Sequence, residues 1–313
     1  MKRKHIHAKI VAANLISLGG LMALPAQATL LVNTLTATAT TSVDGSVPGS
    51  SGPSTDPTYI SNYRSEYGTN SSTSASAWGN SYGTYRAGAD GSGVFNSTGR
   101  FQREMQLTNN NGYSTDYSLN FFIYYGNMSA SNNSATGSGY GSYDLSIKQG
   151  SSTLFASGAT LQSDGTLTIS GTELDNAFHS GNYYSWGGTY VTLNLGTLAD
   201  GASTTINFDL VSTAFGNFGF DGLGGSNGYG GYGGCYGGYG GIELRSIEGY
   251  GGGCTGSVYA SLGDPSDFAE NGQGQPSVTV QERPANQVPL PGTLPLLALG
   301  LAGLFFSRKS RVR

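Results

Sequence analysis

The stretch Y190-V-T-L-N-L-G-T-L-A-D-G-A-S-T-T-I-N-F-D-L210 decides the fold class. Val191, Leu193 and Leu195 alternate with polar residues, and so do Ile206, Phe208 and Leu210. A period of two puts all three side chains of each run on one face of a strand. Between the runs, Asp200-Gly201 is the dipeptide that a tight turn favours, so the segment is predicted to be a β-hairpin. The same grammar recurs upstream. Tyr117, Leu119, Phe121 and Ile123 share one face, with Ser118 and Asn120 opposite, and Leu145 and Ile147 repeat the alternation. Asp164-Gly165 separates LFASGATLQS from TLTIS as a second predicted hairpin, and Ser277 to Gln281 reads as a late strand. No internal window has helical periodicity. Short strands punctuated by Gly, Asn and Ser over one core predict an all-β antiparallel sandwich, jelly-roll-like.

Both ends of the 313-residue chain differ from this pattern. Lys2, Arg3, Lys4 and Lys9 precede an apolar run from Ile10 to Leu24, followed by Pro25-Ala26-Gln27-Ala28. Small residues at Ala26 and Ala28 suit a signal peptidase, so residues 1–28 are expected to be a leader cleaved to leave Thr29 first. At the other end, Val288, Pro289, Leu290 and Pro291 lead into an apolar run ending at Phe306, and Arg308, Lys309, Arg311 and Arg313 close the chain. Leu290 to Phe306 is at the short limit for a spanning helix. The basic cluster would stay cytoplasmic.

That C-terminal order resembles the PEP-CTERM sorting signal, with Leu290 where the family carries Glu between the prolines. The resemblance implies processing by an exosortase-type enzyme after transient anchoring of residues 288–313 in the inner membrane. It also implies a destination at the cell envelope, the outer surface or the extracellular matrix.

Eight of the fifteen basic residues lie in the two ends. Between Thr29 and Phe306, seven Lys and Arg face nineteen Asp and Glu, a net charge of 7 − 19 = −12. An acidic, sparsely charged domain repels phosphate backbones, which excludes nucleic acid as an expected partner. Residues 29–58 are rich in Ser, Thr, Gly and Pro and predict a flexible lead-in, leaving 59–287 as the β-rich domain.

Within that domain, residues 216–256 are nearly half glycine and carry Tyr229, Tyr232, Tyr236 and Tyr239. Glycine loses the most entropy on ordering, so a long surface loop is one reading. A tyrosine-bearing patch that stacks on sugars or on neighbouring copies is the other. Cys235 and Cys254 bracket the later half of the segment, and an oxidising compartment predicts a disulfide between them. Its closure would contribute roughly 3 kcal/mol.

Catalytic constellations are sparse. His179 sits in Phe-His-Ser-Gly with no nucleophile turn nearby, and a surface histidine is the favoured reading. Glu173 and Asp175 share one face of a possible strand. Asp264, Asp267 and Glu270 form the best calcium candidate, competing with a plain acidic turn. No cofactor is expected. The expected function is an exported, non-enzymatic envelope or matrix protein associated with exopolysaccharide or biofilm. The alternatives are a carbohydrate-binding or adhesive module presenting Trp78, Trp186 and the loop tyrosines, and an unrecognised glycan-processing enzyme.

Overall fold

A computed structural model describes residues 28–69, 71–81, 83–132, 136–219, 256–263 and 278–284. The described residues form seventeen strands, every observed pairing is antiparallel, and none of them is helical. In chain order the strands are β1 (Thr29–Val43), β2 (Gly49–Asp56), β3 (Tyr59–Tyr67), β4 (Ser72–Asn80), β5 (Tyr85–Ser92) and β6 (Val94–Thr108). Next come β7 (Thr115–Ile123), β8 (Gly126–Ser131), β9 (Gly137–Gln149), β10 (Ser152–Gln162), β11 (Leu167–Gly171) and β12 (Phe178–Ser180). The last are β13 (Tyr183–Trp186), β14 (Thr189–Leu198), β15 (Ser203–Phe218), β16 (Ser257–Gly263) and β17 (Val278–Pro284).

One seven-stranded sheet runs β11-β10-β9-β15-β6-β1-β2, and a second runs β12-β13-β8-β16-β5-β4-β3. They pack face to face as a sandwich, and a three-stranded sheet, β14-β7-β17, shares their core. Alternation along β6 shows why. Phe95, Phe101, Met105 and Leu107 are buried, while Asn96, Arg100 and Glu104 face outward. The predicted core positions Tyr117, Leu119, Phe121, Ile123, Leu145, Ile147, Leu193, Leu195, Ile206, Phe208 and Leu210 are buried, and Val191, near the start of β14, is half-buried against them. The three sheets meet in an aromatic cluster, with Tyr85 and Phe208 4.6 Å apart and Phe121 and Phe208 5.0 Å apart between ring centres. Offset and tilted rings at this spacing add attraction beyond their buried area.

Three expectations change. Residues 29–58 are not a flexible lead-in: β1 pairs with both β2 and β6, and Leu35, Ala37 and Ala39 are fully buried. Their Ser and Thr are the polar half of an alternating strand, which composition averaged away. The segment read as starting at 216 begins three residues later, because β15 continues through Phe218, itself buried. Asp200-Gly201 does make a turn, with Gly201 at φ +74° and Ala202 donating to the Ala199 carbonyl at 3.0 Å. Yet β14 pairs with β7 while β15 pairs with β6 and β9, so the turn carries the chain from one sheet to another. Asn109 holds this corner through Ala202 and Gly201 backbone bonds and through its amide to Leu198. By contrast, Asp164-Gly165 does join a paired hairpin, β10 with β11, and the late strand is β17.

Arg103 is the largest fully buried side chain, inside the sandwich on β6. Its Nη2 donates to the carbonyls of Asn80 at 2.9 Å and Thr84 at 3.1 Å, pinning the β4–β5 turn from within. Burial pulls its guanidinium down to about 10, and the nearby Tyr85 and Tyr124 work against that fall.

Candidate functional site

The outward positions of the second sheet form an aromatic and hydroxyl face. On its edge strand β3, Ile60 and Asn62 point inward, and Asn62 donates to the Ala37 carbonyl at 2.7 Å. That leaves Tyr59, Tyr63 and Tyr67 outward, with exposures of 43%, 52% and 61%. They stand four residues apart, roughly 13 Å along the strand. Register carries the face inward across the sheet. Ser61 lies beside Trp78 and then Arg86; Tyr63 lies beside Ser76, Gly88 and Ser261; Ser65 lies beside Ser74, Asp90 and Tyr259. Trp78 is half-buried in this surface.

Polar groups on the face are tied to one another. Arg86 Nε donates to Ser261 Oγ at 3.1 Å and Nη2 to Tyr259 Oη at 3.4 Å, while Ser74 Oγ donates to Asp90 Oδ1. Burial pushes the Asp90 carboxyl above its ordinary value, with the Ser74 bond and Arg86 opposing. Asp90 is the one carboxylate at the outward positions of β3, β4, β5, β16 and β8 among the described residues. The face offers tyrosine rings to apolar ring surfaces and hydroxyls for hydrogen bonding.

The first sheet's outer face is different. A shallow hollow of about 450 Å3 is lined by Arg100, Gln102, Glu104, Lys148, Asn207 and Asp209. Arg100 binds Asp209 bidentately, Nε to Oδ1 at 2.9 Å and Nη2 to Oδ2 at 2.7 Å, which raises the guanidinium further. An adjoining hollow of about 250 Å3 includes Asp144, whose carboxyl is raised by burial, with Ser146 and Ser170.

Other predicted residues fall elsewhere. Trp186 is 3% exposed and packs on Tyr143 at 4.3 Å, so it belongs to the core and is not presented to a ligand. Glu173 lies in an irregular stretch and Asp175 in a turn, neither in a strand. His179 is exposed on β12, its Nε2 3.0 Å from the Gly181 carbonyl. Among the described residues, no three His, Cys, Asp or Glu gather to hold a metal. Asp264, Asp267 and Glu270 lie outside the described residues, as do Cys235 and Cys254, Tyr229, Tyr232, Tyr236 and Tyr239, Ala26, and the whole of 288–313. The Tyr59, Tyr63 and Tyr67 row is a feature that residue-type reasoning missed. Its signal was present as YISNYRSEY, where the tyrosines alternate with the inward Ile60 and Asn62 and so share one face of a strand.

Residues 287–309 match the model of the PEP-CTERM protein-sorting motif. The matched span holds Val288, Pro289, Leu290, Pro291, Arg308 and Lys309. No curated protein matches the chain.

Proposed function

From the PEP-CTERM motif at its C-terminus, which implies an exported protein processed by an exosortase, we propose that this chain is a non-enzymatic component of the cell envelope or extracellular matrix, associated with exopolysaccharide. The motif at 287–309 is the observation that carries the reading. Two further features support it: a net charge of −12 between Thr29 and Phe306, seven basic against nineteen acidic residues, and an aromatic and hydroxyl-rich sheet face. Signal peptidase removes the leader, exosortase acts at Pro289–Pro291, and the sandwich is left at the outer surface or released into the matrix. Cell fractionation with mass spectrometry of the mature C-terminus tests it. An end between Val288 and Thr293 is expected. Intact Arg313 in the inner membrane would refute the processing step.

A second reading, a carbohydrate-binding or adhesive module, is favoured by the exposed row of Tyr59, Tyr63 and Tyr67 on the face that also carries Trp78. An acidic domain repels polyanions, so its ligand would be an uncharged polysaccharide. Retention on insoluble neutral glycan should be lost in Tyr63→Ala/Tyr67→Ala/Trp78→Ala with the melting temperature preserved. Unchanged retention in that variant would sink the assignment to this face, and saturable hydrolysis of the glycan would favour an enzyme over both readings.

A further inference from the structure

The first and last strands meet at one pole of the sandwich, and the contact between them falls at the predicted leader junction. The Ala28 backbone N–H donates to Glu282 Oε1 on β17 at 3.1 Å. The other carboxylate oxygen, Oε2, accepts from Asn111 Nδ2 at 3.0 Å. Asn111 is itself buried, and the same Nδ2 reaches Tyr117 Oη at 3.1 Å and Thr115 Oγ1 at 3.2 Å. Tyr117 in turn donates to Asn109 Oδ1 at 2.8 Å. Glu282 is therefore held in place by a network rooted in the core, while Asn110 Nδ2 holds Thr29 Oγ1 at 3.2 Å.

Two further carboxylates, Asp116 and Asp200, stand at this pole. Asp200 accepts from the Gly112 N–H at 2.9 Å, and Asp116 accepts from Thr197. Tyr113 and Tyr117 are the other titratable groups there, and Arg283 stands in backbone register with Asp116. The ion pairs among the described residues are Arg64–Glu66 and Arg100–Asp209, so Glu282, Asp200 and Asp116 gain no cation from either.

We infer that Glu282, with Asn111 behind it, is the acceptor site for the N-terminal ammonium that leader cleavage creates at Thr29. This rests on the reading that cleavage follows Ala28. Hydrolysis of the Ala28–Thr29 peptide turns a neutral amide nitrogen into an ammonium, one residue (about 3.8 Å between Cα atoms) from the atom Glu282 already holds. The carboxylate then pairs with a full charge, a stronger contact than a neutral amide makes. Strand β1 is stapled to β17, and β17 ends at Pro284, just ahead of the motif that begins at residue 287. Removal of one address label thus secures the strand from which the other departs. The paired amine titrates higher than a free one. Its stabilisation is fully present below the free value and is lost as pH rises through the folded value.

The test uses the full chain, exported and recovered from cells. Mass spectrometry identifies the mature N-terminus, and competitive labelling with acetic anhydride across pH titrates its α-amine. The expected result is Thr29 first, with an α-amino pKa about one unit above the ordinary ~7.7–8.0 and labelling near pH 8 slowed about fivefold. Glu282→Gln should return it to the ordinary value. A chain beginning elsewhere overturns the inference at its premise, cleavage after Ala28. A chain beginning at Thr29 whose amine titrates normally, or whose raised value survives Glu282→Gln, overturns it at Glu282. Should Glu282→Gln fail to accumulate, the wild-type titration alone decides.

Discussion

Replacing Tyr85 by Phe should make the protein relatively more stable in alkali than at neutral pH. Tyr85 is fully buried, packed against Phe101, Phe121 and Phe208, and its hydroxyl donates a long bond to the Phe122 carbonyl at 3.3 Å. Burial pushes its phenol far above the ordinary 10.0, with Arg103 opposing. The unfolded chain therefore releases this proton as pH rises through 10.0 while the folded chain keeps it. Each pH unit above that value removes about 1.4 kcal/mol of stability. Burial raises Tyr143 as well, and Tyr184 to about 12, so both act in the same direction. Arg103 acts oppositely: lowered to about 10 from 12.5, it gives up its proton first in the fold and adds stability across that window. Tyr143 and Tyr184 remain in both proteins and cancel in the comparison, whereas loss of the Tyr85 hydroxyl lets Arg103 fall further and moves the difference in the same direction. At neutral pH, Tyr85→Phe should cost no more than about 1 kcal/mol, the value of one weak hydrogen bond. At about pH 11 the difference should move by about 1.4 kcal/mol in favour of the variant. Urea unfolding followed by circular dichroism at the two pH values measures both. An identical difference at both would show that Tyr85 ionises in the fold as it does in solution, and the burial reasoning would fail.

Gly99→Ala should destabilise by about 1–3 kcal/mol or prevent folding. A Cβ there would stand 2.2 Å from the Ser76 carbonyl oxygen and 2.6 Å from that of Gly88, backbone atoms of the opposite sheet that cannot turn aside. Thermal melting checks it, and an unchanged melting temperature would contradict the close approach. Arg103→Met should cost less than Arg103→Ala. Methionine refills the volume and removes a cation buried with no carboxylate bonded to it, whereas alanine adds a cavity worth about 2 kcal/mol or more. Chemical denaturation of the two variants gives the order, and the reverse order would mean that the bonds to Asn80 and Thr84 outweigh packing.

Much of the fold was readable because strand alternation is a local signal. Tyr117 to Ile123 and Ile206 to Leu210 declared their inward faces from two-residue spacing alone, and every one is buried. Residues 29–58 misled because Ser, Thr and Ala in TLTATATTS make a small-residue strand whose apolar half is mostly alanine, too weak a contrast for composition to register. Tyr63 and Tyr67 were legible in principle, but Trp186, chosen for its residue type, proved to be core.

The sequence by itself determined the antiparallel all-β class, the turns at Asp164-Gly165 and Asp200-Gly201, and a C-terminal address that the sorting-motif match supports. Each rests on neighbours in the chain: two-residue periodicity, an Asp-Gly pair, an apolar run closed by charges. Tertiary structure decided which strands pair. Asp200-Gly201 reverses the chain in either case, and only the ladders already offered by β7, β6 and β9 send its two arms to different sheets. It likewise decided that Arg103 lies inside and that Ala28 meets Glu282 across 254 residues of chain. Such contacts close long loops, whose entropy is repaid only by the assembled core, and no window of local sequence carries that information.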